Sequence, residues 1–154
     1  MSKRLKGYMT SLPIHGSRFP HRVQNILLRD YCTRFGFHYQ FSAIEGSVKD
    51  SFLVLKDMIR NHEAYDGILF FSLYMLPKDR KTRASIYSIL QKDKTLHFCL
   101  EQLSIQKKKD IGIMEDILQV RQTLSHVPLQ GKYQYKEQMD SDFLHFLNIK
   151  PNSY

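Results

Sequence analysis

An unbroken apolar run, Ile68-Leu69-Phe70-Phe71, follows the Asp66-Gly67 turn and constrains the fold more than any other segment of the chain. A strand with apolar residues at every position is covered on both faces, as the strands of a parallel sheet are. Parallel strands are joined by long crossovers, usually helices, and helical apolar spacing precedes and follows this run. The sequence therefore predicts an α/β protein with a parallel sheet.

Strand-like and helical segments alternate four times. The predicted strands are residues 4–10, 37–42, 68–71 and 96–100. The predicted helices are residues 21–35, 50–62, 77–92 and 109–124. Right-handed crossovers place helices on both faces of such a sheet. We therefore expect a small, open, Rossmann-like parallel sheet of four strands in the order 2-1-3-4, with its ligand at the reversal between strands 1 and 3.

Helical spacing predicts which apolar side chains face the core. The apolar residues with helical spacing on the first helix are Val23, Ile26, Leu27 and Tyr31. On the fourth helix one stripe is formed by Ile113, Ile117, Val120 and Leu124. Residues 1–124 form the predicted α/β core domain. Residues 125–154 form a predicted C-terminal extension, in which residues 142–149 are expected to make a short helix packed on the core.

The charge balance suggests an anionic partner without naming it. Lys and Arg total 23 against 15 Asp and Glu, for a net charge of +8. This charge fits a nucleotide sugar, a phosphorylated intermediate or nucleic acid, and it also fits a solvated basic surface. The chain has no Trp and its aromatic residues sit mainly at expected core positions, so a base-stacking platform is not indicated.

Two cysteines and the length of the apolar runs indicate the cellular compartment in which the protein is expected. Cys32 and Cys99 form no CxxC pair and have apolar neighbours, which favours two buried thiols over a disulfide. The longest nearly apolar run, residues 68–76, is too short for a membrane span, and the basic start has no apolar stretch after it. We therefore expect a cytoplasmic protein without a membrane span.

Polar residues follow the end of every predicted strand, and parallel strands bring those ends to one edge. The candidate catalytic residues are Ser11, Glu45 and Glu101. The candidate ligand-binding residues are Thr10, His15, Arg18, Ser42, Ser72 and Tyr74. We expect Ser11, Arg18, Glu45, Ser72 and Glu101 to line one pocket. The competing interpretation is that the hydroxyls are ordinary turn and cap residues.

Motifs for metals and common cofactors are missing from the sequence. The seven histidines show neither HxxxH nor HExxH spacing and there is no cysteine cluster, so no metal site is expected. His97 lies within a predicted strand and is interpreted as a hydrogen-bonded core histidine. The glycine-rich nucleotide loops and the GxSxG elbow are also absent, and no cofactor is expected.

Segments spread over residues 7–124 carry a resemblance to a known family. They include Gly7-Tyr8 with Ser11, Arg18 to Pro20, Val23-Gln24-Asn25, Arg29-Asp30-Tyr31-Cys32, Ser42-Ala43 with Glu45, Asp66-Gly67-Ile68, Ser72-Leu73 with Leu76-Pro77, Leu96-His97-Phe98 with Glu101, and Val120-Arg121 with Thr123-Leu124. The chain resembles the sporadic carbohydrate cluster protein family of bacterial surface-polysaccharide gene clusters. The resemblance implies a role in making lipopolysaccharide or capsule, and it supplies no reaction.

A second resemblance concerns the fold. Gly7-Tyr8, a following serine, a Gln-bearing helix and Asp66-Gly67-Ile68 resemble the catalytic domain of serine recombinases, in which Ser11 would match the nucleophile. Met9 and Thr10 stand where that family has an arginine before its serine. Tyr74, Met75 and Leu76 replace its later arginine-bearing stretch. The resemblance therefore implies a resolvase-like fold and not the DNA-cleaving activity.

These observations lead to one functional hypothesis and two alternatives. The first is an enzyme or accessory protein of surface-polysaccharide biosynthesis that binds a sugar, sugar phosphate or nucleotide sugar. The alternatives are a nucleic-acid-binding domain derived from a recombinase, and a non-catalytic partner subunit of a glycan enzyme. A homo-oligomer is compatible with each of them.

Overall fold

The computed structural model describes residues 2–46 and 48–125. The chain divides into two compact units, residues 1–115 and 116–154. The strands are β1 (Arg4–Thr10), β2 (His38–Glu45), β3 (Gly67–Phe70), β4 (Thr95–Phe98) and β5 (Leu103–Ile105). The α-helices are α1 (His21–Phe35), α2 (Leu53–Arg60), α3 (Arg80–Tyr87) and α4 (Ile111–Ser125). The expected helix at residues 142–149 lies outside the described residues.

The protein is α/β, as predicted, but its sheet has five strands and is mixed. The order is β2-β1-β3-β4-β5, which contains the expected order of the first four strands. These four strands run parallel, whereas β5 pairs antiparallel with β4. The four predicted strands are thus parallel and in the predicted order, but the sheet as a whole is mixed, because a fifth, antiparallel strand was not predicted. A tight turn allows β5 to return directly, with Gln102 at φ 52°.

Both faces of the sheet are buried. On each face, the parallel registers place side chains of neighbouring strands side by side. Tyr8, Phe70 and Phe98 are register neighbours on one face and their rings pack in sequence. On the opposite face His97 lies beneath α1, whose Tyr31 hydroxyl is 3.1 Å from His97 Nδ1. The Thr95 hydroxyl is 2.9 Å from Nε2, so both ring nitrogens of this buried histidine have partners. The interpretation of His97 as a core histidine is confirmed.

β2 runs three residues further than expected, which changes the location of Ser42. The pairing between β1 and β2 shifts register between Lys6 and Tyr8, and this irregularity lets the strand continue to Glu45. Ser42 therefore lies inside β2 and not after it. Its hydroxyl hydrogen-bonds with the Tyr39 hydroxyl and lies beside Gly7.

Two helices bury their predicted apolar stripes only in part. On α1, Val23 and Ile26 are 41% and 56% exposed, while Gln24 is buried. Gln24 is drawn inward because its side-chain amide bonds both the backbone N–H and C=O of Thr10. On α4, Ile113 is 66% exposed and Met114 is buried in its place. Both segments are helices, as predicted, and Tyr31 of the predicted stripe is buried, but the buried face of each helix is rotated from the predicted one.

Two further predictions concern buried cysteine thiols and the absence of a membrane span. Cys32 and Cys99 are both free and buried, and burial raises the pKa of the Cys32 thiol to about 12 and of the Cys99 thiol to about 11. Among residues 2–46 and 48–125, no helix has the length and apolar character needed to cross a membrane.

Candidate functional site

A cavity of about 340 Å³ opens at the carboxyl edge of the sheet, where β1, β2 and β3 end. This is the edge at which open α/β sheets bind ligands. Thr10 and Glu45 come from the last positions of β1 and β2, and Tyr74 follows β3. The cavity therefore contains three of the candidate site residues, each from a different strand exit.

A hydrogen bond between two buried side chains lies at the base of this cavity. The Tyr8 hydroxyl donates to Glu45 Oε2 at 2.9 Å, and Tyr8 and Glu45 are 1% and 3% exposed. Burial, followed by the nearby Glu45 carboxylate, raises the pKa of Tyr8 well above its ordinary value. Tyr8 is therefore a fixed neutral donor at this position.

Glu45 also holds the N-terminus of α2. Its carboxylate accepts from the backbone N–H groups of Val54 and Leu55, at 3.3 and 3.1 Å. Carboxylates at this position satisfy free backbone donors and interact favourably with the helix dipole. With the Tyr8 hydroxyl also donating, Glu45 is engaged in structure, and its predicted role as an acid or base is not supported by this geometry.

The loop that leads from β2 to α2 contains strained backbone at the cavity wall. Asp50 and Phe52 both line the cavity and have φ values of 60° and 47°. Positive φ is costly for a bulky residue such as Phe52 and is held only where the surrounding structure imposes it. Strain of this kind is concentrated at binding sites, which supports a ligand-binding interpretation of the cavity.

The rim of the cavity carries two lysines and one aspartate, and its walls are largely apolar. Lys49, Lys78 and Asp50 are exposed residues of the lining. Leu12 and Ile14 contribute apolar wall from the loop after β1. Next to them the His15 ring packs edge-on against Tyr74, with ring centroids 4.2 Å apart.

The loop that carries His15 is shaped by a tight turn. Ile14 and Ser17 exchange backbone hydrogen bonds around the turn. His15 and Gly16 have φ values of 54° and 80°, as the central residues of a type I′ turn require. Arg18, which follows this turn, is exposed and is not among the lining residues of the cavity.

Ser72 and Glu101 form a second arrangement, away from the cavity lining. The Ser72 hydroxyl donates to Glu101 Oε1 at 2.7 Å, and the Leu73 backbone N–H donates to Oε2 at 2.9 Å. The Ser72 oxygen also accepts from the Tyr74 backbone N–H, which caps the short 3-10 helix Leu73–Met75. These contacts match the cap interpretation of the hydroxyls.

Ser11 has a partner that the sequence interpretation missed. Its Oγ lies 3.0 Å from Nε2 of His21, the first residue of α1. Both side chains are partly exposed. No spacing motif joins two residues ten positions apart across a loop, so only the folded chain reveals the pair.

The expected single pocket is therefore divided. Of Ser11, Arg18, Glu45, Ser72 and Glu101, only Glu45 is among the lining residues of the cavity. Ser11 lies with His21, and Ser72 with Glu101. Among the described residues, no group of three or more His, Cys, Asp or Glu side chains is arranged to hold a metal ion.

The chain is an α/β protein with a mixed five-stranded sheet. At the carboxyl edge, where the order reverses between β1 and β3, it has a cavity rimmed by Lys49, Lys78 and Asp50. No protein-family model matches the chain, and no curated protein matches it.

Proposed function

We propose that the protein binds a sugar carrying a phosphate or a nucleoside diphosphate in the carboxyl-edge cavity. We further propose that it acts as an enzyme or accessory protein of bacterial surface-polysaccharide biosynthesis. The observation that carries the binding proposal is the cavity itself. It combines the Thr10 hydroxyl, the Tyr74 side chain and two rim lysines at the edge where such sheets bind ligands.

The chemistry of the lining supports a phosphorylated sugar. Lys49 and Lys78 supply positive charge at the rim, against one exposed carboxylate from Asp50, and a phosphate there would remain partly hydrated. The Thr10 hydroxyl accepts from the Leu12 backbone N–H and keeps its proton to donate to a sugar hydroxyl. The apolar wall of Leu12 and Phe52 can pack against the faces of a sugar ring. The volume of about 340 Å³ falls at the small end of ligand pockets, as a monosaccharide requires.

The place in glycan biosynthesis rests on the resemblance carried by residues 7–124. We place the activity in the cytoplasm, because two free buried thiols suit a reducing compartment.

Calorimetry with a hexose 1-phosphate, a nucleotide-diphosphate hexose, the free hexose and inorganic phosphate tests this proposal. We expect the phosphorylated sugars to bind more tightly than either the free hexose or phosphate alone. K49A and K78A should each weaken binding about 10-fold, which corresponds to roughly 1.4 kcal/mol. T10V should weaken binding of the free hexose as well.

The matched control is K81A, which removes the same charge from an exposed position of α3 outside the cavity lining. K81A should bind within about twofold of the wild type, a change of under 0.5 kcal/mol. Equal losses of affinity in K49A, K78A and K81A would show that binding depends only on net charge. If none of the ligands binds the wild type, the cavity is rejected as a sugar-phosphate site.

A partner subunit is the second candidate function, and exposed apolar side chains favour it. Phe41 of the edge strand β2, Val48 of the loop that follows it and Leu53 at the start of α2 are 80%, 69% and 68% exposed. Light scattering after size-exclusion chromatography tests this candidate with the wild type and F41E. A wild-type assembly that F41E dissociates would support it, whereas a monomer in both cases would count against self-association.

A further inference from the structure

Ser11 and His21 form a pair with the composition of a nucleophile and its base, and neither belongs to the cavity lining. The Ser11 Oγ to His21 Nε2 distance of 3.0 Å is within the range over which a histidine can accept a serine proton. Ser11 directly follows β1, at the carboxyl edge of the sheet. We propose that Ser11 is an acyl-transfer nucleophile activated by His21, and that its substrate is an ester on an anionic carrier molecule.

The backbone holds both partners in place. The Ser11 backbone N–H donates to the Glu45 carbonyl oxygen, and Gln24 of α1 bonds the neighbouring Thr10 backbone on both its N–H and C=O. Because His21 begins the same helix as Gln24, these contacts tie the start of α1 to the end of β1. The approach of Ser11 to His21 therefore follows from the packing of two regular elements.

Access and charge indicate the substrate class. Ser11 and His21 are partly exposed, so a substrate can approach without opening the core. Arg18 and Arg22, one before and one after His21 in the chain, are exposed. The first turn of α1 contains no acidic residue, and among the described residues no side chain caps its N-terminus. This positive environment favours an ester whose remainder carries negative charge.

The reaction balances with water as the only co-reactant. Ser11 Oγ forms a bond to the ester carbonyl carbon while its proton moves to His21 Nε2. The carbon–oxygen bond to the alcohol then breaks, and the alcohol takes the proton from His21. Water attacks the acyl-serine, gives its proton to His21, and the bond to Ser11 breaks with return of that proton to Oγ.

Covalent labelling with a fluorophosphonate, read by intact mass and peptide mapping, tests the pair without any sugar ligand. We expect one phosphonyl group on Ser11 of the wild type and none in S11A. H21Q should slow labelling about 100-fold, because a general base contributes on that order. S17A, in the same loop but outside the pair, should label at the wild-type rate.

The thermal midpoints of S11A and H21Q provide the second readout. Midpoints within a few degrees of the wild type, together with lost labelling, support a chemical role. A wild type that takes no label, a label on another residue, or labelling that H21Q leaves unchanged would overturn the proposal. This proposal goes beyond the cavity proposal, and a sugar phosphate that binds to S11A as to the wild type would separate the two.

Discussion

Arg83 of α3 donates two parallel hydrogen bonds to Glu115 of α4, from Nε to Oε1 at 2.7 Å and from Nη2 to Oε2 at 2.6 Å. Arg83 is 6% exposed, and its remaining nitrogen donates to the carbonyl oxygens of Pro77 and Lys78. The Tyr87 hydroxyl also donates to Glu115, and the hydrogen bonds from Arg83 lower the pKa of that carboxyl. The start of α4 is thus tied to α3 through a fully bonded ion pair.

Replacing Arg83 should lower the free energy of unfolding more than replacing the exposed Arg80 does. R83A removes two of the three hydrogen bonds to the Glu115 carboxylate and the donor to two carbonyl groups. Breaking a buried ion pair costs about 3 kcal/mol or more. The neighbouring Arg80 also approaches Glu115, at 3.9 Å, but its side chain is 85% exposed. R80A should therefore cost less than about 1 kcal/mol. Urea unfolding measures both, and similar losses in the two variants would contradict the assignment.

His97 should make stability fall in mild acid. Its pKa is about 4 in the folded protein, mainly because burial disfavours the charged ring, against 6.5 as the ordinary value. As pH falls from 6.5 to 4, the unfolded chain takes up a proton that the folded chain does not. Stability is therefore full above pH 6.5 and decreases by about 3 kcal/mol across this window.

The control for His97 is H97Q, which keeps hydrogen-bonding groups at the position and cannot titrate. Urea unfolding of both proteins at several values between pH 7.5 and pH 4.5 gives the difference in slope. The wild type should lose stability more steeply than H97Q. Parallel pH profiles would show that the histidine is solvated or charged in the folded state.

Glu101 should behave as a structural acceptor, which reverses its predicted catalytic role. E101A removes the partner of two buried donors, the Ser72 hydroxyl and the Leu73 backbone N–H. The expected loss is about 1–3 kcal/mol. R18A changes an exposed residue and should stay within about 0.5 kcal/mol of the wild type. An E101A protein with an unchanged melting temperature would restore the catalytic interpretation.

Gly67 is required by the close approach of three strands. A Cβ at this position would lie 2.7 Å from the Thr95 carbonyl oxygen and 2.8 Å from a Leu5 methyl carbon. Because the backbone oxygen cannot move without displacing β4, G67A should cost about 2 kcal/mol or more. G112A, at a helical glycine with nothing within 4 Å of the added carbon, should instead stabilise by up to about 1 kcal/mol. Thermal unfolding distinguishes the two signs.

The sequence by itself determined the class of the fold and the order of its first four strands. The apolar run through Ile68 and Phe70 indicated a doubly covered strand, and the alternation with helical segments required parallel crossovers. Local patterns suffice for these features because each strand and helix carries its own period. The three-residue strand β5 carries no such pattern, and it forms only because β4 offers an unpaired edge.

Only the tertiary structure decided what the polar residues do. Glu45, Glu101 and Ser72 follow strands as expected, but backbone N–H groups of the following turns and helices engage them. Gln24 determines which face of α1 is buried, because its side-chain amide hydrogen-bonds the Thr10 backbone. Val23 and Ile26 therefore face outward. Ser11 meets His21 because a loop returns α1 to the end of β1. A hydrogen bond needs two atoms about 3 Å apart, and sequence spacing does not encode that distance between elements.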